Sequence, residues 1–413
     1  MKIMENKIRP STGKNRYDIV IVGGLGHVGL PLGLSFAAAG KYVCLYDLDA
    51  KKADLLRSGV MPFVEYGAEE ILKEVLAQKN LDTSLDINVI AQAEYVIIAT
   101  ATPVDECFNP GVNRFLEQFM EFKKYLKSQQ IIIIRSTVYP KTCRQISRYL
   151  GNEKEPWHVA YCPERIVQGY SIKELKHLPQ IVAGLTKTAE EKASVLFGTL
   201  SPKIIRATIE EAELAKLFTN AWRYLQFAVT NEFFMICHQF NVDFNRIRNV
   251  MVDSYGRLGN LPPAGFAAGP CLLKDTWQLV VSSNHRFSLG HAAMMVNEGL
   301  PNFIVEDLKS RHDLTAKKIG VLGMAFKANV DDIRDSLSYK LVRILKSNGA
   351  HVLCSDEFVK DPSFVPKETL LSSCDIVIIG VPHSQYKDMA IPVSVETIDL
   401  WGVTRQKGEP GHE

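Results

Sequence analysis

Cys271 ends a run of small residues, Gly265-Phe266-Ala267-Ala268-Gly269-Pro270, and is followed by Leu272-Leu273-Lys274-Asp275. Small residues let a backbone come close to a ligand, so the segment reads as a loop delivering one thiol. A thiolate attacks carbonyl carbon, and a cation such as Lys274 favours that charge. Asp275 sits one helical turn beyond Cys271 and could orient a proton or a water. A buried cysteine after a loop would look the same. Lys216 and Asn220 are spaced i, i+4 and share a helix face. Side by side, an ammonium and an amide can stabilise an oxyanion. A Glu213–Lys216 surface pair beside a capping or core asparagine fits the same spacing.

Gly24-x-Gly26-x-x-Gly29 follows an apolar β-rich stretch and opens a helix-prone one. The first glycine allows a tight turn, the second a close pyrophosphate, the third close helix–strand packing. The helix N-terminus then favours negative charge. Asp47 closes the next strand. An acid there accepts hydrogen bonds from a ribose diol and repels a 2′-phosphate, which points to NAD rather than NADP. A glycine turn with no ligand is the alternative. Ser136-Thr137-Val138 follows the strand Ile131–Arg135, at the sheet edge where such folds bind ligands. Pro163-Glu164-Arg165 follows Val159–Tyr161 and offers a carboxylate that could act as a base.

These residues need a frame, and the chain alternates strand and helix. Tyr17–Val22 is β-rich, Leu30–Ala39 is helix-prone and ends at Gly40, and Tyr42–Tyr46 is a second strand. Tyr95–Ala99 and Ile131–Arg135 continue a parallel, doubly wound pattern. The same grammar returns in Lys318–Leu322, Ser336–Ser347, His351–Cys354 and Asp375–Ile379. Between the two halves, Ile209–Phe240 contains no Gly or Pro. Its apolar Leu214, Leu217, Phe218, Trp222, Leu225 and Val229 fall mostly at helical spacing, so this helix needs burial on more than one side. The expected fold class is α/β: two Rossmann-like domains joined by a central helical region with a long helix. The expected divisions are a flexible start over 1–16, a NAD-binding Rossmann domain over 17–205, a central helical region carrying the cysteine loop and a dimer contact over 206–312 (a long helix buried within one subunit being the alternative), a second Rossmann-like domain over 313–403, and a polar tail over 404–413.

The bulk properties bound the function. Of 413 residues 46% are hydrophobic and 23% charged, with a net charge of +2. That is an ordinary globular composition with no electrostatic case for nucleic acid or a membrane surface. No apolar run spans a bilayer, and the first residues lack the apolar core of a signal peptide, so a cytoplasmic location is expected. Eight cysteines form no CxxC pair and no cluster with zinc spacing, so no metal is expected. In the cytosol they would be thiols, most of them small buried residues such as Cys44 and Cys374.

The segments GGLGHVGLPLG, ATATP, STVYPKT, CPERIVQG, EAELAKLFTN, GPCLLKD and MAFKANVDDIRDS, in this order, resemble the UDP-glucose/GDP-mannose dehydrogenase family from about Tyr17 to Gly402. The resemblance implies NAD as cofactor, a homodimer, and a nucleotide-sugar substrate whose CH2OH becomes a carboxylate. It implies Cys271 as nucleophile with Asp275 beyond it. Lys216 and Asn220 would stabilise the oxyanion and place water. Glu164 would help as a base through water, and Thr137 would lie beside the nicotinamide. Thr102 and the loop of Gly24, Gly26, His27, Val28 and Gly29 would contact the cofactor. Lys327 and Phe266 would contact the substrate, together with an Arg257 that reaches the partner subunit's substrate.

Two departures bear on specificity. Members acting on UDP-glucose often carry a second glutamate where this chain has Gln168, which cannot ionise. The cysteine loop usually has two glycines and then His or Tyr; here Ala268, Gly269 and Pro270 precede Cys271. Leu273-Lys274-Asp275-Thr276 resembles UDP-glucose members, and UDP-glucose is the expected substrate. CPERIVQG resembles members that oxidise UDP-N-acetylhexosamines, the alternative. A simple two-electron NAD dehydrogenase and a non-catalytic nucleotide-sugar sensor are the remaining readings.

Overall fold

The structure, a computed structural model, describes residues 16–102, 112–151 and 157–406. Residues 1–15 of the expected flexible start and 407–413 of the expected polar tail lie outside the described residues. The chain forms two compact units that divide between Leu217 and Phe218.

The first unit is built on a sheet of β1 (Tyr17–Val22), β2 (Val43–Tyr46), β3 (Leu81–Ser84), β4 (Ala93–Ile98), β5 (Ile131–Ile134), β6 (His158–Tyr161), β7 (Gln180–Gly184) and β8 (Ile204–Arg206). Their spatial order is β3-β2-β1-β4-β5-β6-β7-β8. All neighbours are parallel except β6 and β7. The change of direction beside β1 is the Rossmann switch point. β1, β2 and β5 are buried along nearly their whole length, which explains their continuous apolar runs. Cys44 is among these buried residues.

The second unit holds β9 (Lys318–Leu322), β10 (His351–Ser355), β11 (Ile376–Ile379), β12 (Ala390–Ile391), β13 (Glu396–Asp399) and β14 (Arg405–Gln406). β10-β9-β11-β13 form a parallel four-stranded sheet, and β12 pairs with β14. The repeat of strand, glycine turn and helix read from the sequence is thus a second Rossmann-like sheet. Cys374 is buried against it.

The long helix runs Ile209–Gln239, as its unbroken helical pattern predicts. Two shorter features depart from local expectation. Helix Ser288–Arg311 carries Pro301 inside it, in a region with many buried apolar contacts; packing there outweighs the missing amide. The turn before the first helix takes its positive φ at Gly23 (+75°), not at Gly24.

Candidate active site

The glycine loop fits a dinucleotide. A Cβ on Gly24 would meet the Leu45 side chain at 2.7 Å, and one on Gly29 would collide with the carbonyl of Gly23. These two glycines serve packing. A Cβ on Gly26 would meet only the Gly23 carbonyl, at 3.4 Å. Packing does not demand glycine at that position, whereas a pyrophosphate lying against the backbone does. The helix Gly29–Ala38 starts after Val28 with no side-chain cap, and the positive end of its dipole favours an anion there. Asp47 Oδ2 accepts from Leu25 N at 2.9 Å, and Oδ1 accepts from Leu48 N at 2.8 Å. The carboxylate holds the loop to the end of β2 and stays half-buried, where a ribose diol can reach it.

His27 sits on this loop with its ring 4.0 Å from that of Phe63. Its Nδ1 lies 3.1 Å from Gln168 Nε2. Gln168 therefore contacts the glycine loop, a partnership the sequence spacing does not reveal. Thr102 Oγ1 donates to the Thr137 carbonyl at 2.6 Å, and Ser136 Oγ donates to the Thr100 carbonyl at 2.7 Å. The two expected cofactor threonines are thus tied together beyond the ends of β4 and β5.

Glu164 is buried and committed. Its Oε2 pairs with the buried guanidinium of Arg135. Its Oε1 accepts from Arg165 N at 2.7 Å and Ile166 N at 2.8 Å. Arg135 also donates to the carbonyls of Cys162 and Pro163 and to Gln180 Oε1. This carboxylate anchors its loop, and work as a base requires its release from Arg135. Sequence reasoning missed Arg135 because its partners lie far along the chain.

Lys216 is 8% exposed and Asn220 5%, one turn apart on the long helix. Glu213, the expected surface partner of Lys216, is itself buried. Its carboxylate accepts from Lys141 N at 2.6 Å and Cys143 N at 2.9 Å, capping helix Thr142–Leu150. The surface-pair reading of Glu213 and Lys216 therefore fails, since both side chains are inside.

Cys271 is the exposed one among the described cysteines. Burial pushes the thiols of Cys44 and Cys162 up to about 12, leaving them inert. Cys271 takes the N-cap position of helix Leu272–Ser282, and its carbonyl accepts from Asp275 N at 2.9 Å. Free amides at a helix start favour a thiolate there. Asp275 is buried, accepts from Asn220 Nδ2 at 2.6 Å, and lies 2.6 Å from Lys274 Nζ. Lys274 thus forms an ion pair with Asp275.

The loop glycines before Cys271 answer to aromatic neighbours. At Gly265 (φ +154°) a Cβ would collide with the Trp401 ring, and at Gly269 (φ +98°) with the Phe326 ring. The close approach read from these small residues is therefore to side chains of the same unit. Phe266 is 4% exposed and packs in the core with Leu300 and Leu400. That placement makes its side chain part of the core. Arg257 is exposed in the short turn Gly256–Leu258. Lys327 is half-buried after β9. Arg334, which the sequence reading passed over, pairs with Asp332 and interacts electrostatically with Cys271. Its signal was its place in the same segment as Lys327.

The chain matches the NAD binding domain of the UDP-glucose/GDP-mannose dehydrogenase family over residues 18–200, its central domain over 210–299 and its UDP binding domain over 320–403. The chain belongs to this family. It is an NAD-dependent oxidoreductase of the nucleotide-sugar dehydrogenase class. It is 28% identical over 379 residues to a UDP-N-acetyl-D-mannosamine dehydrogenase of Methanocaldococcus jannaschii, covering 89% of this chain and 86% of that one. The solved structure of a UDP-D-ManNAc dehydrogenase from Pyrococcus horikoshii matches with a TM-score of 0.83 at 27% identity, over 90% of each chain. A UDP-glucose dehydrogenase from Pyrobaculum islandicum matches with a TM-score of 0.83 at 23% identity, over 97% of this chain and 99% of that one, a likeness of fold. Among the described residues no helix is long and apolar enough to cross a membrane.

Proposed function

We propose that this chain oxidises the C6 primary alcohol of a UDP-N-acetylhexosamine, UDP-N-acetylmannosamine foremost, to the uronic acid. The observation that carries the substrate is the full-length likeness to relatives named for UDP-N-acetyl-D-mannosamine. It supports this alternative better than the UDP-glucose expectation, which rested on Leu273-Lys274-Asp275-Thr276. Gln168 agrees with the shift, since its amide is engaged with His27 and offers no carboxylate.

Removing four electrons requires two hydride losses, and NAD supplies the acceptor for each. The first loss gives an aldehyde. Cys271 Sγ attacks the aldehyde carbon, forming a thiohemiacetal whose loss of the second hydride leaves a thioester. Water then cleaves the C–S bond, releasing the carboxylate and the thiol. Lys216 and Asn220 stabilise the developing alkoxide. Asp275 orients the hydrolytic water and fixes the Asn220 amide. Lys327 and Arg257 supply cations for the diphosphate.

A second copy of the chain would cover the exposed apolar residues of the long helix. Phe218, Trp222, Val229, Phe233 and Ile236 are all exposed, Trp222 at 62%. Such a stripe marks an association surface, and a homodimer is the assembly proposed.

The substrate is tested by comparing kcat/KM for UDP-N-acetylmannosamine, UDP-N-acetylglucosamine and UDP-glucose at equal enzyme concentration. We expect UDP-N-acetylmannosamine to be turned over fastest. Faster turnover of UDP-glucose would overturn the assignment and leave the family intact.

A further inference from the structure

Asp356 closes β10 as Asp47 closes β2, and both carboxylates accept amides from the glycine turn of their own sheet. Their surroundings differ. Asp47 stays half-buried, whereas the side chains of Asp356 and His383 are 0% exposed. Asp356 Oδ2 accepts from Met324 N at 2.5 Å, Ala325 N at 3.0 Å and His383 Nε2 at 3.0 Å. Its Oδ1 accepts from Phe358 N at 2.7 Å and Val359 N at 2.8 Å. A carboxylate so surrounded is an acceptor only, so His383 Nε2 carries the proton. The other ring nitrogen, Nδ1, faces Asn329 N at 2.9 Å. A backbone amide can only donate, so Nδ1 offers its lone pair.

His383 therefore spans two ends of one loop. Met324 and Ala325 hang on Asp356, and Asn329 hangs on His383. Asn329 is further gripped at its side chain, whose Oδ1 accepts from Ser384 N at 2.9 Å and Ser384 Oγ at 3.1 Å. Its φ of +59° lies in the left-handed region, which asparagine adopts more readily than most non-glycine residues. Between these anchors stand Phe326, Lys327 and Ala328. Phe326 is the ring that fills the space at Gly269, two residues before Cys271.

We propose that His383 is a positioning residue for substrate binding: through Nδ1 it fixes Asn329 N–H, and so the place of Lys327 against the nucleotide-sugar diphosphate. This rests on the reading of Lys327 as a substrate contact. The dyad also gives the acid of the second sheet a different use. Where Asp47 meets a ribose, Asp356 is closed off by an imidazole and serves as an anchor.

The two ring nitrogens can be removed separately. In His383→Asn the side-chain oxygen stands near the Nδ1 position and keeps the acceptor for Asn329. In His383→Gln the amide stands near the Nε2 position and keeps the donor to Asp356 but loses that acceptor. The full-length protein is titrated with UDP by calorimetry, with NAD affinity, kcat, KM for the nucleotide sugar and Tm measured alongside, and Lys327→Met as reference. We expect His383→Gln to weaken UDP binding and raise KM about tenfold or more, approaching Lys327→Met, with NAD affinity and kcat within a factor of about three. His383→Asn should stay within about threefold of wild type in UDP affinity. Equal losses in both variants, tracking a common fall in Tm, would mean that the imidazole only fills space, and would overturn the proposal. Full UDP affinity in His383→Gln would overturn it too. A Lys327→Met variant that binds UDP normally would instead remove the substrate-contact reading, and the proposal with it.

Discussion

Asn220 Nδ2 donates to Asp275 Oδ2 at 2.6 Å, with both side chains buried. The pair joins the long helix to the helix that starts at Cys271. It spends one N–H of the amide on the carboxylate, and under the proposed mechanism the other meets the reacting oxygen. Asp275→Ala strands a buried amide, at a cost of about 1–3 kcal/mol of stability. It should lower kcat on the order of 10²-fold, as removal of an oxyanion donor does, with NAD affinity retained. Steady-state kinetics with a parallel NAD titration checks this. Unchanged kcat would remove Asp275 from the chemistry.

Cys271→Ala should abolish formation of the sugar acid while NAD still binds. Wild type should yield two NADH per acid, measured by absorbance against product quantified chromatographically. One NADH per product would support the two-electron dehydrogenase instead.

Asp47 should set cofactor choice. NAD should have the higher kcat/KM, and Asp47→Asn should narrow its advantage over NADP by about tenfold or more, the worth of a hydrogen bond to a charged group. Equal use of NADP by the wild type would place Asp47 away from the ribose.

Asp356 should contribute to acid sensitivity. Burial alone would raise its carboxyl. The hydrogen bond from His383, with the amides of Val359 and Phe358, outweighs burial and holds it at about 2, below the ordinary 3.8. A depressed acid stabilises the fold above its unfolded value, and that contribution is lost as pH falls through the folded one. The window is therefore about pH 4 to 2, and the size about 2 kcal/mol. Denaturant unfolding of wild type and Asp356→Asn should show their difference shrinking across that window. A difference constant from pH 6 to 2 would contradict the assignment.

Trp222→Glu puts a charge on the exposed apolar face of the long helix. It should shift the protein from dimer to monomer in sedimentation velocity at micromolar concentration. An unchanged sedimentation coefficient would move the interface elsewhere.

The elements were legible because their signals are local. Continuous apolar runs announced the buried strands β1, β2 and β5. The absence of Gly and Pro announced the helix Ile209–Gln239, and Lys318–Leu322 was read to the residue. The Gly24-x-Gly26-x-x-Gly29 turn and Asp47 were equally plain, because a phosphate-binding turn is written within one strand–turn–helix unit. Cys271 stood out in its loop of small residues. The sequence by itself thus determined the two Rossmann-like halves, the family and its cofactor, and the candidate residues for the proposed chemistry. Only the tertiary structure decided how those residues are committed. Arg135 holds Glu164 across 29 positions of chain, Asn220 finds Asp275 across 55, and His383 closes on Asp356 across 27. Glu213 turned inward to cap a helix, and Phe266 went to the core. Burial and long-range pairing depend on which surfaces the packed elements bring together, and no spacing along the chain encodes that.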